Sequence, residues 1–201
     1  MPFRFIGRRQ LADMRGSAGA AHAHDRPHRK RANFDFFIYA MILLIVAFSF
    51  RLFFVDQVRV MGVSMEGPMG LHDGERILME KVSLWFSAPA RGDIIICYYP
   101  NHAQSCVKRV IGIPGDMIEI RGGRVYLNGK ALNESAYWQG VIYGDLDPVI
   151  IDKNEVFVMG DNRNNSGDSR DLENVGPIPY ARIVGRAWSV VWPAEARRGL
   201  K

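Results

Sequence analysis

The sequence predicts a mainly β protein, an antiparallel, barrel-like domain preceded by one transmembrane helix. Two observations predict it. Phe36 through Phe50 is apolar and uncharged. Beyond it, short β-branched runs alternate with turn signals and show little helical period, as in repeated antiparallel strands rather than βα units.

Residues 1–33 form a basic tail. Arg4, Arg8, Arg9, Arg15, Arg26, Arg29, Lys30 and Arg31 face only Asp13 and Asp25, which more than accounts for the chain's net charge of +5. A basic tail abutting an apolar run points to membrane topology rather than to nucleic acid. His22, His24 and His28 lie in this polar tail, where a metal site is not expected.

Extended to residues 34–55, the apolar run meets the roughly 20 helical residues a bilayer core requires, with Asp35 and Arg51 near its ends. A cleaved signal peptide is shorter and ends in small residues, but here Arg51-Leu52-Phe53-Phe54 follows. A buried soluble helix would carry a polar stripe and an interfacial helix a charged face; the run has neither. The positive-inside rule then puts residues 1–33 in the cytoplasm and residues 56–201 outside.

In the outer part, strands are expected at Gln57–Met61, Glu75–Glu80, Asp93–Tyr99, Cys106–Ile111, Met117–Arg121, Arg124–Leu127, Glu155–Met159 and Ile183–Val191. Gly122-Gly123 and Asn128-Gly129 are tight-turn pairs, so residues 117–132 read as a hairpin with a following strand. Asn133–Pro148 reads as an irregular, aromatic-bearing insertion. Trp85 and Phe86, before a turn at Pro89, suit either the membrane interface or the core. Cys97 and Cys106 flank the turn-like Pro100-Asn101-His102. A disulfide between them is favoured in an oxidising compartment, with two small buried apolar residues as the alternative.

Lys108 and Arg109 are adjacent cations on an apolar strand, and successive strand side chains point to opposite faces. One of them therefore faces an apolar interior. Lysine can lose its proton there and arginine cannot, so a buried Lys108 becomes a candidate general base. The candidate nucleophile is Ser64, in the turn-like Gly62-Val63-Ser64-Met65-Glu66-Gly67-Pro68. A serine in such a turn means little alone; its weight comes from Lys108. In Gly160–Arg170, Asp161, Arg163, Asp168 and Arg170 suit a rigid ion-pair scaffold, with Ser166 able to hydrogen-bond a nearby amine. The spacing does not suit an EF-hand, because Arg163 falls where an oxygen ligand is needed and no Glu closes the loop.

Gly62-Val63-Ser64-Met65, Arg91-Gly92-Asp93, Lys108 through Asp116 and Gly160 through Arg170 stand in the order found in bacterial type I signal peptidases, which the chain resembles from the span to Trp192-Pro193. The resemblance implies a membrane-bound Ser–Lys endopeptidase with a catalytic domain of coiled antiparallel sheets, removing signal peptides from exported preproteins. It implies Ser64 as nucleophile, Lys108 as general base and Ser166 as the hydroxyl orienting the amine. It also implies supporting pairs Arg109–Asp161 and Asp168–Arg170, with the Ser64 N–H as an oxyanion donor. Gly62 occupies the place of a second, serine donor in many members. Substrate would add as a strand along Val58–Gly62 and Ser105–Val107, past Cys106, with shallow pockets near Val60, Met65 and Val107 for an Ala-x-Ala preference. No metal or cofactor is implied; the implied partners are signal peptides, membrane lipid and the secretion translocon.

The chain departs from the family at Ser64-Met65-Glu66-Gly67-Pro68-Met69-Gly70-Leu71, about two residues longer than the usual Ser-Met-x-Pro-Thr-Leu, and it lacks the large inserted β-subdomain of longer members. Two rivals remain open from sequence: a Ser-His-Asp hydrolase using His72 or His102, and a noncatalytic membrane-tethered peptide-binding module.

Overall fold

The computed structural model describes residues 27–100 and 102–200, without the side chains of 27–33 and 50–53. The expected tail thus lies largely outside the described residues. The chain divides into two compact units, one ending at Phe48 and one beginning at Ser49. A 28-residue helix, α1 (Pro27–Phe54), runs through the apolar segment. From Phe34 to Ser49 its side chains are exposed apart from the half-buried Ala40 and Ser49. Among the described residues no helix is long and apolar enough to cross a membrane.

The second unit is antiparallel β. Its strands are β1 (Val55–Arg59), β2 (Arg76–Glu80), β3 (Ile94–Tyr98), β4 (Ser105–Gly112), β5 (Met117–Arg121), β6 (Arg124–Leu127), β7 (Lys130–Ala131), β8 (Leu146–Ile150), β9 (Glu155–Met159), β10 (Ile178–Pro179), β11 (Ile183–Trp192) and β12 (Arg198–Gly199). The larger sheet runs β1-β2-β11-β3-β4-β9-β10, with β12 also paired to β11; the smaller runs β7-β6-β5-β8. Register shifts in the pairings of β11 with β2 and β3, and of β4 with β9, mark bulges, which bend and coil a sheet.

Each expected strand forms, within a residue or two of its bounds. The β5–β6 and β6–β7 turns place Gly122, Gly123, Asn128 and Gly129 at positive φ, as two-residue hairpin turns matched to strand twist require. The supposedly irregular 133–148 segment ends in a real strand, β8, and a four-residue helix, α2 (Ser83–Phe86), was not expected. Trp85 and Phe86 stay exposed rather than entering the core, Trp85 lying edge-on to Phe54 at 5.6 Å.

Three apolar clusters fill the interior. Ile94, Ile96 and Val107 join Val60, Met65 and Leu71 in the first, while Ile111, Phe157 and Met159 pack with Ile118 and Ile120 in the second. Ile95, Cys97 and Val110 form part of the third, on the face of β4 that carries Lys108. Cys97 and Cys106 sit directly opposite in the β3–β4 register, as the hairpin reading requires, but both are free thiols, which corrects the disulfide expectation. Burial pushes the Cys97 thiol up to about 12, so little of the thiolate that disulfide formation needs is present.

Candidate active site

Strand alternation separates the two cations of β4. Lys108 is 4% exposed and Arg109 is 3% exposed, so both are interior, on opposite faces. Lys108 Nζ donates to Ser64 Oγ at 2.8 Å. Burial lowers the Lys108 pKa, with weaker opposition from Cys106 and Asp168. An amine so placed favours its neutral form, whose lone pair can accept the serine proton.

Ser64 is half-buried on a turn fixed at several points. Gly62 takes φ +84° and donates its N–H to Asp73 Oδ1 at 2.7 Å; Glu66 N donates to Val63 O at 3.1 Å; Leu71 N donates to Met65 O at 2.7 Å. The longer lip after Ser64 therefore folds as a closed turn. A side chain at Gly70 would meet Met65 O at 2.0 Å, so glycine is required there. Asn162 reaches the same turn from the opposite loop. Its backbone N–H donates to Ser64 O and its Nδ2 to Val63 O, both at 3.1 Å.

That loop hangs on buried ion pairs. Arg109 forks onto Asp161 with bonds of 2.7 and 2.6 Å and donates to Gly92 O at 2.9 Å. Arg170 Nε and Nη2 grip Asp168 at 2.7 and 2.9 Å, and Asp168 accepts the Gly160 N–H at 3.0 Å. Both expected pairs are formed. Arg163 instead bonds Glu134 and Gly160 O, and the guanidinium groups of Arg109 and Arg163 lie 4.6 and 5.3 Å from the Tyr137 ring.

Ser166 departs from expectation. Its Oγ is buried with no hydrogen-bond partner among the described residues, so it does not hold the Lys108 amine in this state. The side chain packs against Gly160, and Lys108 Nζ is turned to Ser64 instead. Neither His72 nor His102 bonds Ser64: the bond found for His72 is its backbone N–H to Glu75 Oε2, and the His102 Nδ1 pairs with Pro100 O.

A cleft of about 490 Å³ runs past Ser64 and Lys108, bordered by Val60, Met65, Cys106 and Val107. Val60 and Met65 are 3% and 1% exposed and form its apolar floor, whereas Gly62 is exposed and outside the lining. Among the described residues, no three His, Cys, Asp or Glu side chains group to hold a metal ion. Glu134, Tyr137, Asp73 and Asn162 were not singled out from sequence. Asn162 lay inside the recognised Gly160–Arg170 motif, which was the signal available; the other three lie in stretches that carried none.

A serine hydroxyl bonded to a buried lysine amine, on an antiparallel β scaffold, is a Ser–Lys dyad. Residues 34–192 match the family model described as signal peptidase, peptidase S26, and the chain belongs to that family. A signal peptidase I of Bacillus licheniformis is 34% identical over 175 residues, covering 83% of this chain and 92% of the relative. Signal peptidase I P of Bacillus subtilis subsp. natto is 33% identical over 187 residues, covering 88% and 99%. A solved signal peptidase I of Enterococcus faecalis is 30% identical, with a TM-score of 0.43 over 50% of this chain and 97% of that one. The family does not support the noncatalytic alternative.

Proposed function

We propose that this chain is a serine endopeptidase that removes N-terminal signal peptides from exported preproteins, with Ser64 as nucleophile and Lys108 as general base. The observation that carries the assignment is the 2.8 Å contact between Lys108 Nζ and Ser64 Oγ at a nearly buried amine. Neutral Lys108 takes the Ser64 proton as Oγ bonds the scissile carbonyl carbon. The resulting ammonium gives that proton to the leaving amine as the C–N bond breaks. Lys108, neutral again, takes a proton from water as the water oxygen bonds the acyl carbon, and returns it to Ser64 Oγ as the ester bond breaks.

Sheet topology supports substrate binding by strand addition. Among the described residues β1 is an edge strand, and β9 joins β4 only from Arg109 onward, so residues 105–108 pair on one side alone. Both edges offer unpaired backbone groups to an extended peptide, and Val60, Met65 and Val107 supply shallow apolar pockets for small side chains. Asp161 with Arg109, and Asp168 with Arg170, hold the loop across from Ser64. The membrane anchor at residues 34–55, the cytoplasmic tail 1–33 and the extracytoplasmic domain 56–201 rest on the apolar run and the one-sided charge. They imply lipid and the translocon as neighbours.

The test is cleavage of a model preprotein in detergent by wild type, Ser64→Ala and Lys108→Ala across pH. Both variants should lose at least about 1,000-fold in rate, consistent with the larger losses found on removing a catalytic-triad member. The wild-type rate should climb with pH through the Lys108 titration and level off below the ordinary lysine value. Substantial cleavage by Lys108→Ala would sink the mechanism.

A further inference from the structure

We infer that Asn162 is a positioning residue that aims the Ser64 backbone N–H at the oxyanion, an inference that rests on the reading of Ser64 as nucleophile. The argument begins with one peptide plane. Val63 C=O and Ser64 N–H belong to the same trans peptide and so point in opposite directions. Whatever holds that carbonyl therefore sets the direction of that N–H. Val63 O accepts two hydrogen bonds, from Glu66 N and from Asn162 Nδ2, each at 3.1 Å. The next carbonyl, Ser64 O, accepts from Asn162 N at 3.1 Å. Asn162 thus clamps the peptide planes on both sides of the nucleophile.

Two facts make this clamp consequential. Among the described residues the Ser64 N–H donates no hydrogen bond, so it is available to a substrate oxygen. The neighbouring Gly62 N–H is already taken by Asp73. Without a serine at position 62, oxyanion binding depends all the more on the single N–H at Ser64. The bonds of the turn itself fix the lip after Ser64, whereas the approach before it is open, with Met61 81% exposed and Gly62 at φ +84°. The other end of the clamp is rigid. Asp161, fully buried, is forked by Arg109, and Asn162 O accepts the Asn165 N–H at 3.0 Å. The Arg109–Asp161 pair thereby acts on the reaction through Asn162, from the face of β4 opposite Lys108.

The test uses the full chain in detergent, with Asn162→Ala and the same-sized Asn162→Asp. Two probes are compared on each sample: a signal-peptide fragment ending in alaninal, whose hemiacetal with Ser64 carries the oxyanion, and the matching alaninol, which cannot form one. Asn162→Ala should lower kcat about 10- to 100-fold, less than the roughly 100- to 1,000-fold for outright removal of an oxyanion donor, because the Ser64 N–H is misdirected and not deleted. KM should stay within about twofold, and the pH at which the rate rises should not move. The preference for aldehyde over alcohol should fall by the same factor as kcat in both variants. Because both probes see the same sample, an unfolded fraction cancels from that ratio. A wild-type ratio in both variants overturns the inference, whatever happens to kcat. Ser64→Ala separates the two claims. If it keeps the aldehyde preference, the nucleophile assignment fails. If it loses the preference while the Asn162 variants keep it, only the clamp fails.

Discussion

Lys108 is a cation whose interior position works against its own charge. Arg109 is as deeply buried, but Asp161 satisfies it with a two-pronged bond. Among the described residues Lys108 hydrogen-bonds only the Ser64 hydroxyl, and burial lowers its pKa from 10.5. The folded chain therefore binds fewer protons at this site than the unfolded chain, and stability rises with pH across the interval between the two values. The penalty is complete below the folded pKa and gone above about 10.5, each unit of separation being worth about 1.4 kcal/mol. Lys108→Met removes it. The variant should melt above wild type at pH 7, with the gain shrinking toward pH 10. An equal difference in Tm at both pH values would mean that Lys108 titrates alike folded and unfolded. This much was legible in the sequence, because alternation along a strand puts one of two adjacent cations inside without any knowledge of the fold. The Glu134 partner of Arg163 and the Tyr137 ring between two guanidinium groups were not legible, since those contacts exist only after an irregular segment folds back.

Strands were readable where their own residues specify them and missed where a neighbour does. β8 contains Pro148, which ordinarily argues against a strand; it survives because β8 is the edge of the smaller sheet, where a missing N–H costs no ladder bond. β10 and β12 are two residues each, too short for any period to register. The loop after β9 makes the sharpest demand on a single residue. A Cβ on Gly160 would lie 2.3 Å from both Ser64 O and Ser166 Oγ, so the turn and loop that form the site approach each other through this glycine. Gly160→Ala should push the Ser64 backbone off its position and cut kcat by about 100-fold or more, as a displacement near 1 Å does. Gly185→Ala is the matched control: its Cβ would strike Met79 and Glu80 O at 2.5 and 2.7 Å, away from the dyad. It should lower Tm while leaving kcat of the folded fraction near wild type. Equal kcat losses in the two variants would remove any special role for the Gly160 approach.

For the molecule as a whole, the basic excess and the chemistry occupy different units. The dyad, its ion pairs and its cleft all lie within the unit beginning at Ser49, whereas the net positive charge is concentrated before Phe34. Charge within about 15–20 residues of a span sets its orientation. On the near flank Arg26, Arg29, Lys30 and Arg31 dominate; on the far flank stand Arg51 and Arg59, partly offset by Asp56. Replacing the four near-flank cations with Gln should therefore weaken the bias and let the far-flank arginines compete to stay inside. With alkaline phosphatase fused after Lys201, the wild-type chain should carry an active, extracytoplasmic reporter, and the four-Gln variant should lose much of that activity. The same variant, solubilised in detergent, should cleave a model preprotein at the wild-type rate, because none of the four residues belongs to the unit that carries the dyad. An inactive reporter on the wild-type chain would refute the proposed topology. Full reporter activity in the variant would show that the four cations do not set the orientation.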